Sequence, residues 1–180
     1  MRIISGLCKG RKLYTAEGTH IRPTGDKVKG AVFSMIGEYL EDALVLDLFA
    51  GTGNLGLEAL SRGARKSYFC DNSPMSIRLL KMNISMCSMT DKSEVFFCDF
   101  ERALGRIKEK LDIIFLDPPY DKDLYLPSLE LVRDSELLEQ RGVIVTEYEK
   151  DSKMPEAVPG FDKLLERRYG RTHIALFGWR

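Results

Sequence analysis

Short apolar runs alternate with amphipathic stretches through most of the chain. Five apolar runs predict strands: ALVLDLF, KSYFCD, EVFFCD, DIIFLD and GVIVTEY. Between them, apolar residues recur at helical spacing in NLGLEALSRG (closed by Gly63), along Ile77–Leu80–Ile84–Met86, around Ala103 and Ile107, and from Leu126 to Leu138. Apolar strands that alternate with helices predict a parallel sheet covered on both faces.

The two ends of the chain follow a different pattern. FDKLLERRYGRTHIALFGW predicts two antiparallel strands turned at Gly170, and RIISGLCKGRKLY predicts a basic hairpin of two short strands around Gly6 and Gly10. A helix that Thr24 could cap follows the loop at 15–25. We therefore predict one α/β domain over 1–180, with a mostly parallel seven-stranded sheet that ends in an antiparallel hairpin. Residues 1–25 form an N-terminal hairpin appendage on a core of 26–180.

Composition places few limits on this picture. The 180 residues are 44% hydrophobic and 30% charged, which is ordinary for a soluble globular protein. No stretch approaches the ~18 apolar residues of a membrane span, and the start, MRIISGLCKG, has no apolar run long enough for a signal peptide, so we expect neither feature. The four cysteines show no CxxC pair and no zinc-ligand spacing with either histidine, so we expect no metal and a reducing, cytoplasmic location.

The formal net charge of zero conceals an uneven distribution. Residues 1–30 carry seven Lys/Arg against Glu17 and Asp26, a net of +5. Residues 163–180 carry five against Glu166, a net of +4, which leaves −9 for the middle. Basic ends around an acidic centre favour a polyanion held by the termini; solvated surface lysines are the alternative.

The first strand leads into a glycine loop, DLFAGTGNLGLEAL. Gly51, Gly53 and Gly56 fit GxGxxG between a strand and a helix, and Asp71 follows Gly51 by twenty positions. A NAD-type dehydrogenase is one interpretation. However, Asp47 would repel a pyrophosphate, and no residue set for hydride transfer is apparent.

S-adenosylmethionine suits three acids at successive strand ends better, since it has an ammonium, ribose hydroxyls and no phosphate. Asp47 would receive the ammonium, Asp71 the ribose, and Asp99 the adenine amino group. Phe100 is a possible stacking face for the adenine. The alternative is that Asp71 and Asp99 merely cap helices. The remaining cofactor contacts expected from the same loops are Phe49, Asn54 and Asn72.

The fourth strand ends in Asp117-Pro118-Pro119-Tyr120. In a doubly wound sheet this strand neighbours the first, so the DPPY loop should face the glycine loop. The Asp117 carboxylate and Pro118 carbonyl could accept both N–H groups of a nucleobase amine, which favours a pyramidal nitrogen whose lone pair can be aimed. The prolines would hold the loop rigid, and Tyr120 offers a face for an extruded base.

Four segments, RIISGLCKGRKL, RPTGDKVKGAVF, DLFAGTGNLGLEALSRGA and YGRTHIALF, together with DPPY, resemble the bacterial 16S ribosomal RNA guanine-N2 methyltransferase family of the RsmD type. The resemblance spans essentially the whole chain. It implies a Rossmann-like class I fold, S-adenosylmethionine as cofactor and 16S rRNA as partner, within the small subunit or an assembly intermediate.

The resemblance also suggests a role for the basic N-terminus. Candidates for phosphate contacts are Lys9, Arg11, Lys12, Arg22, Lys27 and Lys29, with Arg22 and Thr24 nearest the base. Two other functions stay open: adenine-N6 methylation of DNA, and a non-catalytic RNA-binding assembly factor. Monomer is the default state for this size, and no membrane partner is expected.

Overall fold

The computed structural model describes residues 1–16, 25–119, 122–149, 154 and 158–180. Within these ranges the helices are α1 (Asp26–Met35), α2 (Asn54–Ser61), α3 (Pro74–Met86), α4 (Phe100–Arg106) and α5 (Tyr125–Ser135). The strands are β1 (Leu44–Asp47), β2 (Lys66–Asp71), β3 (Ser93–Phe97), β4 (Leu111–Leu116), β5 (Leu138–Glu149), β6 (Phe161–Tyr169) and β7 (Thr172–Trp179). None of the helices in these ranges is long and apolar enough to cross a membrane.

All seven strands form one sheet in the order β3-β2-β1-β4-β5-β7-β6. Strands β1 to β5 run parallel, whereas β7 is antiparallel to both β5 and β6. The predicted sheet with its terminal hairpin turned at Gly170 is thus confirmed, as is the position of the fourth strand beside the first.

Helices cover both faces of the sheet, which explains why the central parallel strands β1 and β4 are almost wholly buried. One face packs against α1, α2, α3 and the N-terminal segment, with Phe33 of α1 lying 5.7 Å from Phe115 of β4, centroid to centroid. The other face packs against α4 and α5. Along each strand, successive side chains alternate between these two cores.

One predicted helix ends earlier than its apolar pattern suggested. The helix expected over Leu126–Leu138 is α5, which ends at Ser135, and Glu136 takes a left-handed conformation with φ of 53°. Leu138 begins β5 and pairs with Leu111 of β4. Leu137 and Leu138, which continue the apolar spacing of α5, are therefore buried at the start of β5 and not in the helix.

The N-terminal segment (residues 1–16) forms the predicted hairpin, but its arms are too short to count as full strands. They pair antiparallel through the Arg2–Lys12 bridge, where the Ile3 N–H donates to the Arg11 carbonyl and the Leu13 N–H to the Met1 carbonyl, and turns fill the interval. The segment packs on the core rather than projecting from it, since a Cβ on Gly6 would lie 1.7 Å from the Ser61 carbonyl oxygen of α2. The N-cap of α1 is Gly25, while the predicted cap, Thr24, lies outside the described residues.

Candidate active site

The glycine loop joins β1 to α2 and needs glycine at two positions for different reasons. Gly53 is the N-cap of α2 with φ of 83°, a conformation that L side chains rarely adopt, and its Cβ would lie 2.5 Å from Leu80 Cδ1. At Gly56 a Cβ would meet Phe69 Cε1 at 2.3 Å. The first glycine permits the turn, and the second lets α2 pack closely on β2.

Hydrogen bonds to β2 hold this loop in place. The Ala50 N–H donates to the Cys70 carbonyl at 2.8 Å, and the Gly51 N–H donates to Asp71 Oδ2 at 2.8 Å. Asp71 Oδ1 accepts from the Ser73 N–H at 2.8 Å. The cap of α3 is Ser73, whose hydroxyl accepts from Ser76 N, so Asp71 has a role beyond helix capping.

Asp99, the N-cap residue of α4, makes no capping hydrogen bond with its side chain, and it is exposed. Beside it, the half-buried rings of Phe49 and Phe100 pack 5.6 Å apart. Asn72 is exposed after β2. The predicted acids therefore lie at the carboxyl ends of β1, β2 and β3, with an aromatic pair between the first and the third.

Asp47, at the end of β1, is buried with 3% of its surface exposed. Its Oδ2 accepts from the Gly56 N–H at 2.9 Å, which ties the strand to α2. Burial raises the pKa of Asp47 to about 7; the Gly56 hydrogen bond opposes this rise, and the nearby Asp71 charge adds to it.

The chemistry of these loops fits S-adenosylmethionine. Residues 47–54, 71–73 and 98–100 contain acids but no Lys or Arg, so a pyrophosphate would lack a counter-charge from them. The Cβ side of Gly51 opens on empty space, and the buried Thr52 hydroxyl has no hydrogen-bond partner among the described residues. Such a site can receive a cation and hydroxyl groups.

The DPPY loop begins where β4 leaves the sheet. β4 neighbours β1, and the Leu48 N–H donates to the Phe115 carbonyl at 3.1 Å, so Asp117 lies beside the glycine loop as predicted. Pro118 is buried and Pro119 exposed, and the Pro119 carbonyl accepts from the Lys122 N–H at 3.2 Å. Tyr120 lies outside the described residues.

A further acid, Glu147, lies beside Asp117 and was not singled out from the sequence. Leu116 pairs with Thr146 of β5, so the next residues on the two strands, Asp117 and Glu147, are neighbours. Strand alternation places both side chains on the sheet face of Asp47. The pKa of Asp117 is raised well above its usual range. Burial is the main cause, and the negative charges of Glu147 and Asp47 add to it.

Lys29, predicted to contact RNA phosphates, is instead buried. Its ammonium pairs with the Glu58 carboxylate of α2 at 3.0 Å, and the two side chains are 1% and 0% exposed. It also donates to Asn54 Oδ1 at 2.7 Å and to the Arg2 carbonyl at 2.7 Å. Lys29 therefore holds Asn54, the first residue of α2, in place. Asn54 is a predicted cofactor contact, and its amide oxygen already accepts this hydrogen bond from Lys29.

Asn83, buried in α3, makes a second link between the N-terminal segment and the glycine loop. Its Oδ1 accepts from the Tyr14 N–H at 2.7 Å, and its amide nitrogen donates to the carbonyls of Tyr14 at 3.1 Å and Thr52 at 2.9 Å. One side chain thus links the N-terminal segment to the glycine loop. The sequence showed only a polar residue on an amphipathic helix.

The other predicted RNA-binding residues are surface residues where they are described. Lys9 and Lys12 are exposed on the N-terminal segment, and Lys27 is exposed on α1. Arg11, also exposed, donates to the Met86 carbonyl at the end of α3. Arg22 and Thr24 lie outside the described residues.

Comparison with known proteins identifies the family. The family model described as "Conserved hypothetical protein 95" matches residues 1–178. The chain belongs to this family, that of the RsmD-type methyltransferases. Among its relatives, "Putative rRNA methyltransferase YlbH" of Bacillus subtilis is 40% identical over 180 residues, covering 98% of each chain. "Ribosomal RNA small subunit methyltransferase D" of Haemophilus influenzae is 35% identical over 161 residues, 86% of this chain and 81% of that one.

Solved structures show the same relationship for this RsmD-type protein. "Putative methyltransferase yhhF from Escherichia coli" superposes with a TM-score of 0.86 at 28% identity, over 98% of this chain and 96% of that one. The predicted family and the Rossmann-like methyltransferase fold are confirmed, and the chain is an enzyme of the methyltransferase class.

Proposed function

We propose that this RsmD-type enzyme transfers a methyl group from S-adenosylmethionine to the exocyclic N2 amine of a guanine in 16S rRNA. The observation that carries the proposal is the placement of Asp117 and Pro118 at the end of β4, beside the glycine loop that follows β1. Relatives named as small-subunit ribosomal RNA methyltransferases support the substrate class.

The carboxylates at the strand ends would hold the cofactor. Asp71 would bind the ribose hydroxyls, Asp99 the adenine amino group, and Asp47 would attract the ammonium. Phe100, with Phe49, Asn54 and Asn72 around it, would shape the adenosine site. When bound, S-adenosylmethionine supplies an electrophilic methyl group on a sulfonium.

Catalysis would rest on orientation rather than on a strong base. An aromatic amine is a poor nucleophile because its lone pair is delocalised into the ring. The Asp117 carboxylate and the Pro118 carbonyl would accept its two N–H groups, favour a pyramidal nitrogen and aim the lone pair. The hydrogen bond from the Lys122 N–H to the Pro119 carbonyl would limit the motion of these acceptors, and Asp117 can take the proton that the product nitrogen sheds.

We propose further that residues 1–180 act as one domain and one monomer in the cytoplasm. The substrate would be 16S rRNA within the small subunit or an assembly intermediate. Lys9, Arg11, Lys12 and Lys27 would contact its phosphates, with Arg22, Thr24 and Tyr120 nearest the target base.

The direct test measures transfer of labelled methyl from S-adenosylmethionine to small-subunit particles that lack this modification, followed by nucleoside analysis. We expect label in N2-methylguanosine at a single site. If DNA is offered instead and the label appears in N6-methyladenine, the substrate is DNA and the proposed mechanism still holds. If cofactor binds but no methyl is transferred to either nucleic acid, the proposal fails.

Binding of S-adenosylmethionine below pH 7 is expected to release a proton. The raised pKa of Asp47, about 7, keeps its carboxyl largely protonated there, and a bound ammonium favours the ionised form. Affinity should therefore rise as the pH increases toward 7 and level off above it. Calorimetry in buffers of different ionisation enthalpy measures the proton, and Asp47→Asn should abolish the release; a buffer-independent heat for the wild type would contradict the assignment.

Glu147→Gln is expected to shift the acid limb of the kcat/KM profile to lower pH. The Glu147 charge helps to raise the pKa of Asp117, so its removal lets Asp117 ionise at lower pH. Glu149→Gln is the matched control, because Glu149 lies two residues further along the same face of β5. Equal profiles for the wild type and Glu147→Gln would show that Glu147 does not act on Asp117.

A further inference from the structure

The turn of the β6–β7 hairpin lies at the catalytic edge of the sheet. Because β7 is antiparallel to β5, its first residue, Thr172, pairs with Glu149 at the carboxyl end of β5. The turn at Gly170 and Arg171 is therefore at the edge where β4 delivers Asp117. The other end of the hairpin lies at the opposite edge, where the Trp179 indole N–H donates to the Leu138 carbonyl.

Three exposed arginines, Arg167, Arg168 and Arg171, lie near this turn, and strand alternation places Arg168 on the opposite sheet face from Arg167. Arg167 of β6 pairs with Ile174 of β7, which packs into the same core as Phe115 of β4. Strand alternation therefore places Arg167 on the sheet face of Asp117. In the order β4-β5-β7-β6, three strand spacings put it roughly 14 Å away.

The contacts of these arginines leave their charges at the surface. Arg167 Nη1 donates to the carbonyl of its own neighbour, Glu166, at 3.0 Å. Arg171 lies 3.9 Å from the Glu149 carboxylate, with their side chains 67% and 30% exposed.

We propose that Arg167 and Arg171 form a second phosphate-binding surface for the RNA, on the flank of the DPPY loop opposite the N-terminal segment. This inference rests on the proposed function, since the polyanion is the nucleic acid whose base enters the site. The sheet order carries it: β5, β7 and β6 extend from β4 on one side, while β1, the glycine loop and the N-terminal segment lie on the other. RNA that spans the crevice would thus be held on both sides of the reacting base, and its phosphates would be positioned without sequence readout.

The test removes the same charge from the two edges of the sheet. Arg167→Gln/Arg171→Gln alters the catalytic edge, and Arg141→Gln/Arg180→Gln removes two exposed arginines at the amino edge. Binding of each variant to unmodified small-subunit particles is measured by filter retention over a range of salt concentrations. We expect the first pair to weaken binding and to reduce the slope of log K against log salt by about 1.5, and the control pair to leave the slope at the wild-type value.

Kinetics separates this surface from the chemistry. The first pair should raise KM for the particles and leave kcat and cofactor affinity near wild type. A wild-type salt slope for Arg167→Gln/Arg171→Gln, or an equal loss of binding in the control pair, would overturn the inference. The proposed function would still be supported by methyl transfer from the wild-type enzyme. If the wild type transfers no methyl to rRNA at all, the proposed function itself has failed.

Discussion

Replacing Asp117 with alanine is expected to lower turnover by about 10²-fold or more and to leave cofactor affinity unchanged. Alanine removes a hydrogen-bond acceptor that we place against the reacting amine, while the glycine loop keeps its anchors to Cys70 and Asp71. Since this acceptor acts as the nitrogen becomes pyramidal, kcat and kcat/KM should fall together. Single-turnover methyl transfer, with calorimetry for the cofactor, measures both quantities.

The same change should not weaken the fold. Burial and two neighbouring carboxylates raise the pKa of Asp117, so the folded protein holds an unfavourable acid there. Its removal relieves that cost, and thermal unfolding should occur at the wild-type temperature or above it. Asp91→Ala is the control, because Asp91 is an exposed aspartate before the amino end of β3 and should affect neither activity nor stability. Near-normal turnover of Asp117→Ala would remove Asp117 from the mechanism.

The main architecture followed from the sequence because its signals are local. A parallel strand covered on both faces is apolar over most of its length, so the apolar runs of β1 to β5 stood out, and β2 was predicted residue for residue. The placement of acids at strand ends then followed from the fold class. Asp47 and Asp71 end their strands, and Asp117 and Asp99 follow theirs within two residues, so all four lie at the carboxyl edge.

Features that depend on neighbouring elements could not be predicted in this way. The N-terminal segment has the turn glycines of a hairpin, but four of its backbone amides donate to α2: those of Leu7 and Cys8 to Ser61, and those of Ile4 and Ser5 to Glu58. Similarly, Glu147 becomes a neighbour of Asp117 only through the pairing of β4 with β5. No pattern within either strand indicates that contact.

Lys29 shows how a charge count can mislead. Counted with the basic N-terminus, it was predicted to contact RNA. Its spacing from Val32, Phe33 and Ile36 puts it on the buried face of α1, and Glu58 lies in a helix whose residues 55–61 are all buried. The periodicity of both helices contained the signal for a buried pair, since a buried charge requires a partner.

Glu58→Gln is expected to cost about 3–5 kcal/mol of unfolding free energy, the scale for breaking a buried ion pair. Glu58 accepts from four donors: the Ile4 N–H at 2.8 Å, the Ser5 N–H at 3.0 Å, the Arg62 guanidinium at 2.8 Å and the Lys29 ammonium at 3.0 Å. Glutamine keeps the shape but leaves the Lys29 ammonium without its counter-charge. Burial already lowers the pKa of Lys29 against the attraction of Glu58, so the remaining cation is strongly disfavoured.

In a chain of this size that loss corresponds to a fall in Tm of about 6–20 °C. Glu94→Gln is the matched control: the Glu94 pair with Lys66 is as short, at 2.7 Å, but is exposed, and breaking it should cost about 0.2–1 kcal/mol. The backbone amides of Ile4 and Ser5, which donate to the Glu58 carboxylate, should exchange hydrogen faster in Glu58→Gln than in the control. Equal losses in the two variants would mean that water reaches the Lys29–Glu58 pair, and the N-terminal segment would then be held by its apolar contacts and its hydrogen bonds to Ser61 and Asn83.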